Sequence, residues 1–520
     1  MGTYFNPVNE SMKRAVNSRI YIDKTGLLKL TNQILFTEEN CIAVSHARRF
    51  GKSQAAGMID AYYSCGSDSK KLFSPYEIAT APDFEKHLNK YNVIHLDISS
   101  FTDFYKENLV NKILETLHRE LKKQYPTILD LSNPIGTILM QVYELSQKAF
   151  VIIIDEWDCV VRNHADRPDL VHTYLQFLHS LFKSEESKKF LALAYITGIL
   201  PIKKIEDESA LNNFVEYTML ESNELTPYFG FTQKEVEQLC IKYEMNFQSV
   251  KEWYNGYLID GMHMYNPNSV SQAMKYHDFD SYWRNTSAFG TINNFIMMNY
   301  SGLKEDVLTM LSGGKVMVDT ECFQNDLAEI HSKDDALTAL IHLGYLGYDA
   351  DMLSAYIPNY EVAKAFQSAL KTGEWKDVAA SISKCDTLLM ATISGNTEKV
   401  AELIELAHDT YTSILKYNDE NSLSCVLTMA YFTAPAYYTI IREMPAGKGF
   451  ADFVFLPRAN AGNRPAMIVE LKYNQSADTV IRQIKEKRYQ GALSGYESKI
   501  LLVGISYDSE KHHTCSIEEW

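Results

Sequence analysis

Four β-branched apolar residues in succession, Val151 to Ile154, are followed directly by the carboxylates Asp155 and Glu156. An uninterrupted apolar run of this length is typical of a strand that is buried on both faces, as strands are in parallel sheets covered by helices. In such sheets, ligands bind at the carboxyl ends of the strands. The run therefore predicts an α/β fold with two carboxylates at the ligand-binding edge of the sheet.

A second segment, Ser45 to Ser53, has the composition of a phosphate-binding loop and follows a short apolar run that favours a central strand. In the P-loop pattern, Gly51 lets the backbone approach a phosphate and Lys52 places a positive charge on the terminal phosphates. The hydroxyl of Ser53 would ligate Mg²⁺. His46 replaces the first glycine of the pattern. The loop alone is therefore equally consistent with an ordinary turn.

The loop and the two carboxylates support each other, because a P-loop is followed by a strand that ends in acidic residues. Asp155 is predicted to hold the hydration shell of Mg²⁺, and Glu156 to orient or activate the attacking water. The alternative is a strand-to-helix turn with acidic capping residues. Thr197 ends another apolar strand, as a sensor of the γ-phosphate or as a strand cap. Arg48 and Arg49 are candidates for phosphate contacts, within the chain or across a subunit boundary.

Charged residues also interrupt two apolar strands near the end of the chain. Asp452 lies in the first strand, and Glu470 and Lys472 project from one face of the second, because strand periodicity is two. This spacing fits a divalent-metal nuclease, in which Asp452 and Glu470 hold Mg²⁺ and Lys472 positions the water or neutralises phosphate charge. The alternative is a solvated edge strand. Apolar neighbours favour a central strand, where an unpaired carboxylate would be costly without a cation.

The helix that follows is locally basic, with Gln483, a further candidate catalytic residue, surrounded by Arg482, Lys485, Lys487 and Arg488. Such an element is suited to phosphate contacts. The formal net charge of -16 argues against a protein that coats nucleic acid non-specifically. We therefore expect nucleic acid, DNA more than RNA, to bind at a local site.

The composition also bears on the compartment. Eight cysteines are scattered, with no C-x-x-C pair and no spacing typical of zinc. The first residues lack the pattern of a signal peptide, and the longest apolar runs are too short to span a bilayer. These features predict a cytoplasmic protein with reduced cysteines and no membrane partner.

With both groups of motifs identified, the chain resembles a bacterial family that joins an AAA-ATPase-like domain to a PD-(D/E)XK nuclease-superfamily domain. The resemblance rests on Tyr21 to Thr25, Arg48 to Ser53, Asp155 to Asp158, Ile357 to Asn359, Gly449 to Asp452, Val469 to Lys472, and Gln483 to Lys485 leading to Tyr489. The family tends to lack the first P-loop glycine, as here at His46. The resemblance implies ATP binding in the first domain and a restriction-endonuclease-like core in the last. It also implies a further acidic metal ligand, for which Glu420 is the candidate.

The combined prediction is an α/β protein in three parts. These are a P-loop NTPase parallel-sheet domain at 1–220, a helical or winged subdomain at 221–355, and a restriction-endonuclease-like α/β domain at 356–520 with its core at about 405–515. We predict an ATP-binding protein and ATPase whose nucleotide state governs a Mg²⁺-dependent nuclease. The competing interpretation is a signalling or scaffold ATPase whose nuclease-like domain only binds nucleic acid or a protein partner. Either form could be a homo-oligomer.

Overall fold

The chain divides into two compact units. The computed structural model describes residues 2–102, 108–164, 166–202, 211–282, 288–324, 327, 330–372, 380, 382–415, 426–446, 449–458, 461–487, 499–509 and 512–520. The first unit comprises Met1–Phe247, Tyr254–His277 and Val318–Ala355, and the second comprises Gln248–Trp253, Asp278–Met317 and Tyr356–Trp520. The division into three domains at residues 220 and 355 stays a prediction.

Helices and strands alternate through the first unit and segregate more in the second. The strands are β1 (Cys41–Ser45), β2 (Asn92–Asp97), β3 (Phe150–Asp155), β4 (Leu191–Gly198), β5 (Val215–Thr218), β6 (Phe231–Thr232), β7 (Tyr257–Ile259), β8 (Met262–Tyr265), β9 (Val316–Met317), β10 (Gly347–Asp349), β11 (Ser354–Tyr356), β12 (Tyr438–Ala446), β13 (Gly449–Pro457), β14 (Ala466–Tyr473), β15 (Ile500–Tyr507) and β16 (His513–Glu519). The α-helices are α1 (Glu10–Val16), α2 (Leu27–Ile34), α3 (Lys52–Tyr63), α4 (Lys70–Phe73), α5 (Phe84–His87), α6 (Ile98–Thr102), α7 (Leu109–Gln124), α8 (Ile135–Ser146), α9 (Cys159–Asn163), α10 (Pro168–Phe182), α11 (Ser187–Phe190), α12 (Gln233–Lys242), α13 (Phe247–Tyr254), α14 (Pro267–Tyr276), α15 (Ala288–Met298), α16 (Leu303–Leu311), α17 (Lys333–His342), α18 (Tyr360–Thr372), α19 (Cys385–Ile393), α20 (Thr397–Leu415) and α21 (Ala477–Glu486). Among these helices of the described chain, none has both the length and the apolar character needed to cross a membrane.

The first unit is built on a five-stranded parallel sheet with the strand order β2-β3-β4-β1-β5. The apolar run at residues 151–154 lies in β3, whose residues are all buried, which confirms the predicted central strand. Ser45 pairs with Gly198 and Ile154 with Ile196, so β1, β3 and β4 end at one edge of the sheet. The loop and the carboxylates identified in the sequence therefore meet at that edge.

Successive residues of these strands contribute to two separate apolar cores. Ala43 and Ile152 pack into one core with helices α7, α8 and α10. Val44 and Val151 pack into the other with α2 and α3. Because side chains alternate between the faces of a strand, helices are needed on both sides to bury the sheet. The result is the three-layer α/β arrangement predicted from the sequence.

The region after β5 adds a small antiparallel sheet with the strand order β6-β8-β7. The β7–β8 hairpin turns at Asp260 and Gly261, with φ values of 47° and 75°. Two consecutive left-handed residues are typical of a type I′ turn, whose twist matches that of paired strands. Helix α12 begins with a capping box formed by Thr232 and Glu235. The region predicted to be helical or winged thus contains both helices and a short sheet.

The second unit contains a mixed five-stranded sheet with the strand order β12-β13-β14-β15-β16. Strands β14 and β15 are parallel, and the other neighbouring pairs are antiparallel. Because β14 lies in the middle of this sheet, Glu470 and Lys472 are on a central strand, and the edge-strand alternative is wrong. Asp452 lies on β13, the direct neighbour of β14, as predicted.

Helix α21 approaches β15 closely at Gly504, which pairs with Glu470 in the sheet. A Cβ atom on Gly504 would lie 2.7 Å from the carbonyl oxygen of Ala477 and 3.0 Å from Cβ of Val480. The first contact is with helix backbone, which cannot rotate away as a side chain could. The glycine therefore sets the distance between α21 and the strand beside Glu470.

We expect Gly504→Ala to lower the free energy of unfolding by about 1–3 kcal/mol, because the helix must shift to admit the methyl group. Denaturant unfolding of the full chain measures this loss. Gly462→Ala in the same unit is the comparison, since its Cβ would have nothing within 4 Å and only its φ of +64° opposes a side chain. That backbone effect should cost about 1–2 kcal/mol, and a Gly504→Ala chain as stable as wild type would contradict the close approach.

Candidate functional site

The loop between β1 and α3 explains how a histidine can replace a P-loop glycine. Gly51 precedes α3 with φ +95°, and Arg49 has φ +69°. The φ angle of His46 is not positive, so the backbone at this position does not require glycine. Nothing lies within 4 Å of a Cβ placed on Gly51, so conformation rather than space requires glycine there. The left-handed residues of this loop are Arg49 and Gly51, near its end.

The side chain of His46 packs beneath the loop. Its ring is fully buried, with Nε2 2.9 Å from Oγ of Ser222 and its centroid 5.2 Å from that of Phe229. Burial, followed by the charge of Lys52, lowers the pKa of His46 to about 3. The ring is therefore uncharged at neutral pH and anchors the loop to the segment that follows the parallel sheet.

Lys52 is buried at the start of α3, with only 5% of its surface exposed. Its Nζ donates to the carbonyl oxygens of His46 at 2.7 Å and Ala47 at 3.0 Å. Burial lowers the pKa of this amine, while Glu156 is the leading source of opposing negative charge. The neighbouring Ser53 is exposed in the first turn of the helix. The two predicted phosphate and Mg²⁺ ligands are thus adjacent at a helix N-terminus, which favours anions.

Asp155 and Thr197 are in direct contact at the same edge. Both are buried, and Oγ1 of Thr197 donates to Oδ1 of Asp155. The backbone N–H of Glu156 also donates to Oδ1 of Asp155, at 3.1 Å. The predicted metal ligand and the predicted sensor therefore form one hydrogen-bonded pair.

Glu156 makes an ion pair that the sequence analysis missed. Nη2 of Arg162 lies 3.1 Å from Oε2 of Glu156, and Nε of the same arginine lies 3.1 Å from Oδ2 of Asp158. Burial raises the pKa of Glu156, while Lys52 opposes the shift. The spacing of four residues between Asp158 and Arg162, typical of ion pairs on a helix, was the available sequence signal.

A cavity of about 250 Å³ adjoins the loop at Gly51. Its walls come from residues 20–24, the first turns of α3, residues 228–231 and the start of α14. Tyr21 lines the cavity and packs edge-on against Tyr76 at 5.4 Å between centroids. Arg48 and Arg49 have exposed side chains nearby in the sequence.

The second unit brings Asp452, Glu470 and Lys472 together, as their strand positions predicted. Oδ2 of Asp452 accepts a hydrogen bond from the backbone N–H of Leu471 at 2.8 Å. The backbone N–H of Asp452 lies 3.4 Å from Oε1 of Glu470, and Nζ of Lys472 lies 3.7 Å from its Oε2. Two carboxylates and one ammonium group therefore converge at the middle of the mixed sheet.

Glu470 is only 1% exposed, and its charge is poorly compensated. Burial, followed by repulsion from Asp452, raises the pKa of Glu470 to about 8. Lys472 and Lys487 act in the opposite direction. A second cation at this site would favour the ionised carboxylate.

Helix α21 packs against β14 and β15. Gln483 is half-buried on α21, and its carbonyl oxygen accepts the backbone N–H of Lys487, the residue that caps the end of the helix. Glu420 and Tyr489 lie outside the described residues. Within the described chain, no group of three or more His, Cys, Asp and Glu side chains could hold a metal. The fit to Mg²⁺ therefore rests on Asp452 and Glu470, whose hard oxygens suit that ion.

Comparison with known families gives two matches along the chain. Residues 11–206 match the AAA-ATPase-like family, described as a predicted AAA-ATPase, and residues 418–520 match the PD-(D/E)XK nuclease superfamily. These segments contain the two sites described above.

Individual relatives are more distant. A protein from Azotobacter chroococcum mcd 1, described as an uncharacterized protein in the vnfD 5' region, is 22% identical over 272 residues, which are 51% of this chain and 50% of that protein. The chain thus spans about half the length of this curated relative. Among solved structures, replication initiator DnaA bound to AMPPCP and single-stranded DNA is 10% identical, with a TM-score of 0.27, over 72% of this chain and 93% of that one. A DNA replication initiation factor is 9% identical, with a TM-score of 0.25, over 81% and 98%. Similarity at this level does not establish a shared function.

The raised pKa of Glu470 predicts a pH-dependent stability in metal-free protein. Between pH 4.5, its ordinary pKa, and about 8, the folded chain holds a proton that the unfolded chain has lost. Stability should therefore fall as the pH rises through this window, by at most ~1.4 kcal/mol per pH unit from this group. Glu470→Gln removes the titrating group and should flatten that dependence, as measured by denaturant unfolding in chelator at pH 6 and 8.

The exposed Glu402, which pairs with Lys399, provides the control, and Glu402→Gln should keep the wild-type dependence. Adding Mg²⁺ or Mn²⁺ at pH 8, without nucleotide, should stabilise wild type more than Glu470→Gln. An equal pH dependence in wild type and Glu470→Gln would contradict the assignment of the shift to this carboxylate.

Proposed function

Because the chain carries an AAA-ATPase-like domain followed by a PD-(D/E)XK nuclease-superfamily domain, we propose that it binds and hydrolyses ATP and cleaves nucleic acid in a Mg²⁺-dependent reaction. The observation that carries the proposal is the grouping of Lys52, Asp155 and Thr197 at the carboxyl edge of the parallel sheet. The convergence of two carboxylates with Lys472 in the other unit supports the nuclease half.

The arrangement around Lys52 supports a site for the phosphates of ATP. Among the described residues, the amine donates to two carbonyl oxygens of its own loop, and charged phosphate oxygens are stronger acceptors. Turning Nζ toward a phosphate would also give the buried ammonium a closer counter-charge. Helix α3 adds backbone N–H groups at its start, directed as an anion site requires.

Residues near Lys52 are suited to the other roles at the ATP site. Ser53 and Asp155 supply hard oxygen atoms suited to Mg²⁺, which when bound neutralises charge on the phosphates. Thr197 holds the carboxylate of Asp155, and Glu156 is the acidic side chain available to orient a water molecule. Arg48 and Arg49 have exposed side chains suited to contacts with phosphate or with a second subunit of a homo-oligomer.

The cavity beside Gly51 is suited to the base of the nucleotide. It adjoins the loop and has a volume of about 250 Å³, with the rings of Tyr21, Tyr228 and Phe231 in its walls. Aromatic walls next to a phosphate loop suit a flat heterocycle.

In the second unit, Asp452 and Glu470 would hold Mg²⁺ and Lys472 would position the attacking water or stabilise the phosphate. Bound Mg²⁺ supplies Lewis-acid polarisation of a phosphodiester. The buried Glu470 favours a cation because burial and Asp452 otherwise oppose its ionisation. Gln483 on α21 and Lys487 at the end of that helix are suited to the phosphate backbone of DNA, and RNA would offer the same contact.

One observation favours a second candidate function. The formal net charge of -16 disfavours extended contact with a nucleic acid backbone. The nuclease-like domain would then bind a protein partner, or nucleic acid at a local site, without cleaving it. The chain would then be an ATP-switched binding protein.

Lys52→Ala should weaken ATP binding by at least ~30-fold, since it removes charge-assisted hydrogen bonds worth about 2 kcal/mol or more. Titration with a fluorescent ATP analogue in Mg²⁺ measures the dissociation constant. Lys29→Ala is the matched control, because that lysine lies on α2 and pairs with Glu77 at 2.9 Å. Equal affinity in wild type and Lys52→Ala would refute the phosphate site.

Asp452→Ala should reduce cleavage of nucleic acid by ~100-fold or more, because it removes one of two oxygen ligands for the ion. The assay incubates the full chain with supercoiled DNA, single-stranded DNA and RNA, in Mg²⁺ or Mn²⁺, with and without ATP. Glu402→Gln should cleave as wild type does. Lys52→Ala in the same assay tests whether ATP governs cleavage.

Binding of a labelled oligonucleotide without cleavage, equal in wild type and Asp452→Ala, would replace the nuclease with the ATP-switched binding protein. No binding and no cleavage would refute the role in nucleic acid chemistry altogether.

A further inference from the structure

Glu156 is constrained more tightly than a surface glutamate. Its backbone has φ +53°, a left-handed conformation that is uncommon for a residue with a side chain. Its backbone N–H donates a hydrogen bond to Asp155, and Oε2 of its carboxylate accepts one from Nη2 of Arg162 at 3.1 Å. Backbone strain at a candidate active site points to a conformation that the surrounding structure enforces.

Arg162 is itself fixed by Asp158. The arginine side chain is 8% exposed and the aspartate side chain is 3% exposed. Oδ2 of Asp158 accepts Nε of Arg162 at 3.1 Å and also the backbone N–H groups of Ile199 and Leu200, each at 3.0 Å. Three donors on one carboxylate oxygen leave little freedom for this side chain. Asp158 therefore ties Arg162 to the first residues after β4.

The approach of these groups depends on a glycine at the end of β4. A Cβ on Gly198 would lie 2.7 Å from Nε1 of Trp157 and 3.0 Å from Oδ1 of Asp158. Those distances are shorter than van der Waals contacts, so any side chain at 198 would push Asp158 away. Residues 198–200, Asp158, Arg162 and Glu156 thus form one continuous chain of contacts.

The ion pair between Arg162 and Glu156 lies among several acidic side chains. Asp155, Glu156 and Asp158 lie within four residues of one another, and Lys52 and Arg162 are the cations that influence them. An ion pair with the planar arginine fork fixes direction as well as charge. Arg162 donates to Oε2 of Glu156, which holds one oxygen of the carboxylate in place.

We propose that Arg162 is a positioning residue that aims Glu156 at the attacking water, and that Asp158 transmits the conformation of the residues after β4 to it. This role rests on the proposed hydrolysis of ATP. Arg162 touches neither phosphate nor water in this role and acts only through Glu156. The residues after β4, next to Thr197, would thereby set the orientation of the acidic side chain.

Steady-state hydrolysis of ATP by the full chain tests this role, with Glu156→Gln, Arg162→Gln, Arg162→Lys and Asp158→Asn as variants. Arg162→Gln should lower kcat by about 10- to 100-fold, the effect of a misplaced group. The dissociation constant for ATP should stay within about twofold of wild type, since binding depends on Lys52. Arg162→Lys should recover part of kcat, and Asp158→Asn should lower kcat as Arg162→Gln does.

The double variant Glu156→Gln/Arg162→Gln separates positioning from general destabilisation. If Arg162 acts only through Glu156, the double variant should be no slower than Glu156→Gln alone. Further slowing in the double variant would overturn the proposal. Arg119→Gln, an exposed arginine on α7, is the control and should keep wild-type kcat.

Thermal unfolding of each variant identifies any that fails to fold. If Arg162→Gln is among them, the kcat of Arg162→Lys is compared with that of wild type instead. If wild type hydrolyses ATP and folded Arg162→Gln has an unchanged kcat, the positioning role of Arg162 is overturned. The proposed hydrolysis of ATP is not affected by that result. Wild type that binds ATP and shows no turnover overturns the proposed hydrolysis, and the role of Arg162 with it.

Discussion

The position of β4 between β1 and β3 is the constraint on which the first unit depends. Successive carbonyl groups at its end accept hydrogen bonds from both neighbours, Gly198 O from His46 N at 3.2 Å and Thr197 O from Trp157 N at 2.9 Å. The phosphate loop and the acidic residues are therefore both tied to one strand end. A shift of that strand end would therefore displace both halves of the nucleotide site.

The two candidate sites differ in how closely their buried carboxylates are paired with cations. Around the first, Lys52 and Arg162 offset three acidic side chains, and the arginine makes two ion pairs of 3.1 Å. Around the second, the nearest cation to Glu470 is Lys472 at 3.7 Å, and the pKa of the carboxyl is raised to about 8. Close ion pairs fix the direction of the carboxylates at the first site, whereas the weakly paired Glu470 favours a cation or a proton.

Local patterns in the sequence were sufficient for the sheet strands and for the side chains they carry. The run at 151–154 predicted β3, and strand periodicity predicted that Glu470 and Lys472 share a face, because both features depend only on neighbours in the chain. Contacts distant in sequence could not be predicted in this way. His46 meets Ser222 across 176 residues, and Arg162 is fixed through the backbone at 199 and 200. The Asp260–Gly261 pair is a local sequence signal for a hairpin. The sequence carries no comparable signal for the residues against which the hairpin packs.

The supports of the phosphate loop extend past the segment that matches the AAA-ATPase-like family, which ends at residue 206. Gly230 N donates to Phe50 O at 2.9 Å, and Asn266 Nδ2 lies 3.4 Å from Arg48 O. Together with the contact between His46 and Ser222, these bonds join the loop to residues 222–266. The module that recombination could transfer between proteins with its loop intact is therefore longer than the segment that matches the family. A substitution of His46 would require compensating changes in this later segment, because its ring contacts Ser222 and Phe229.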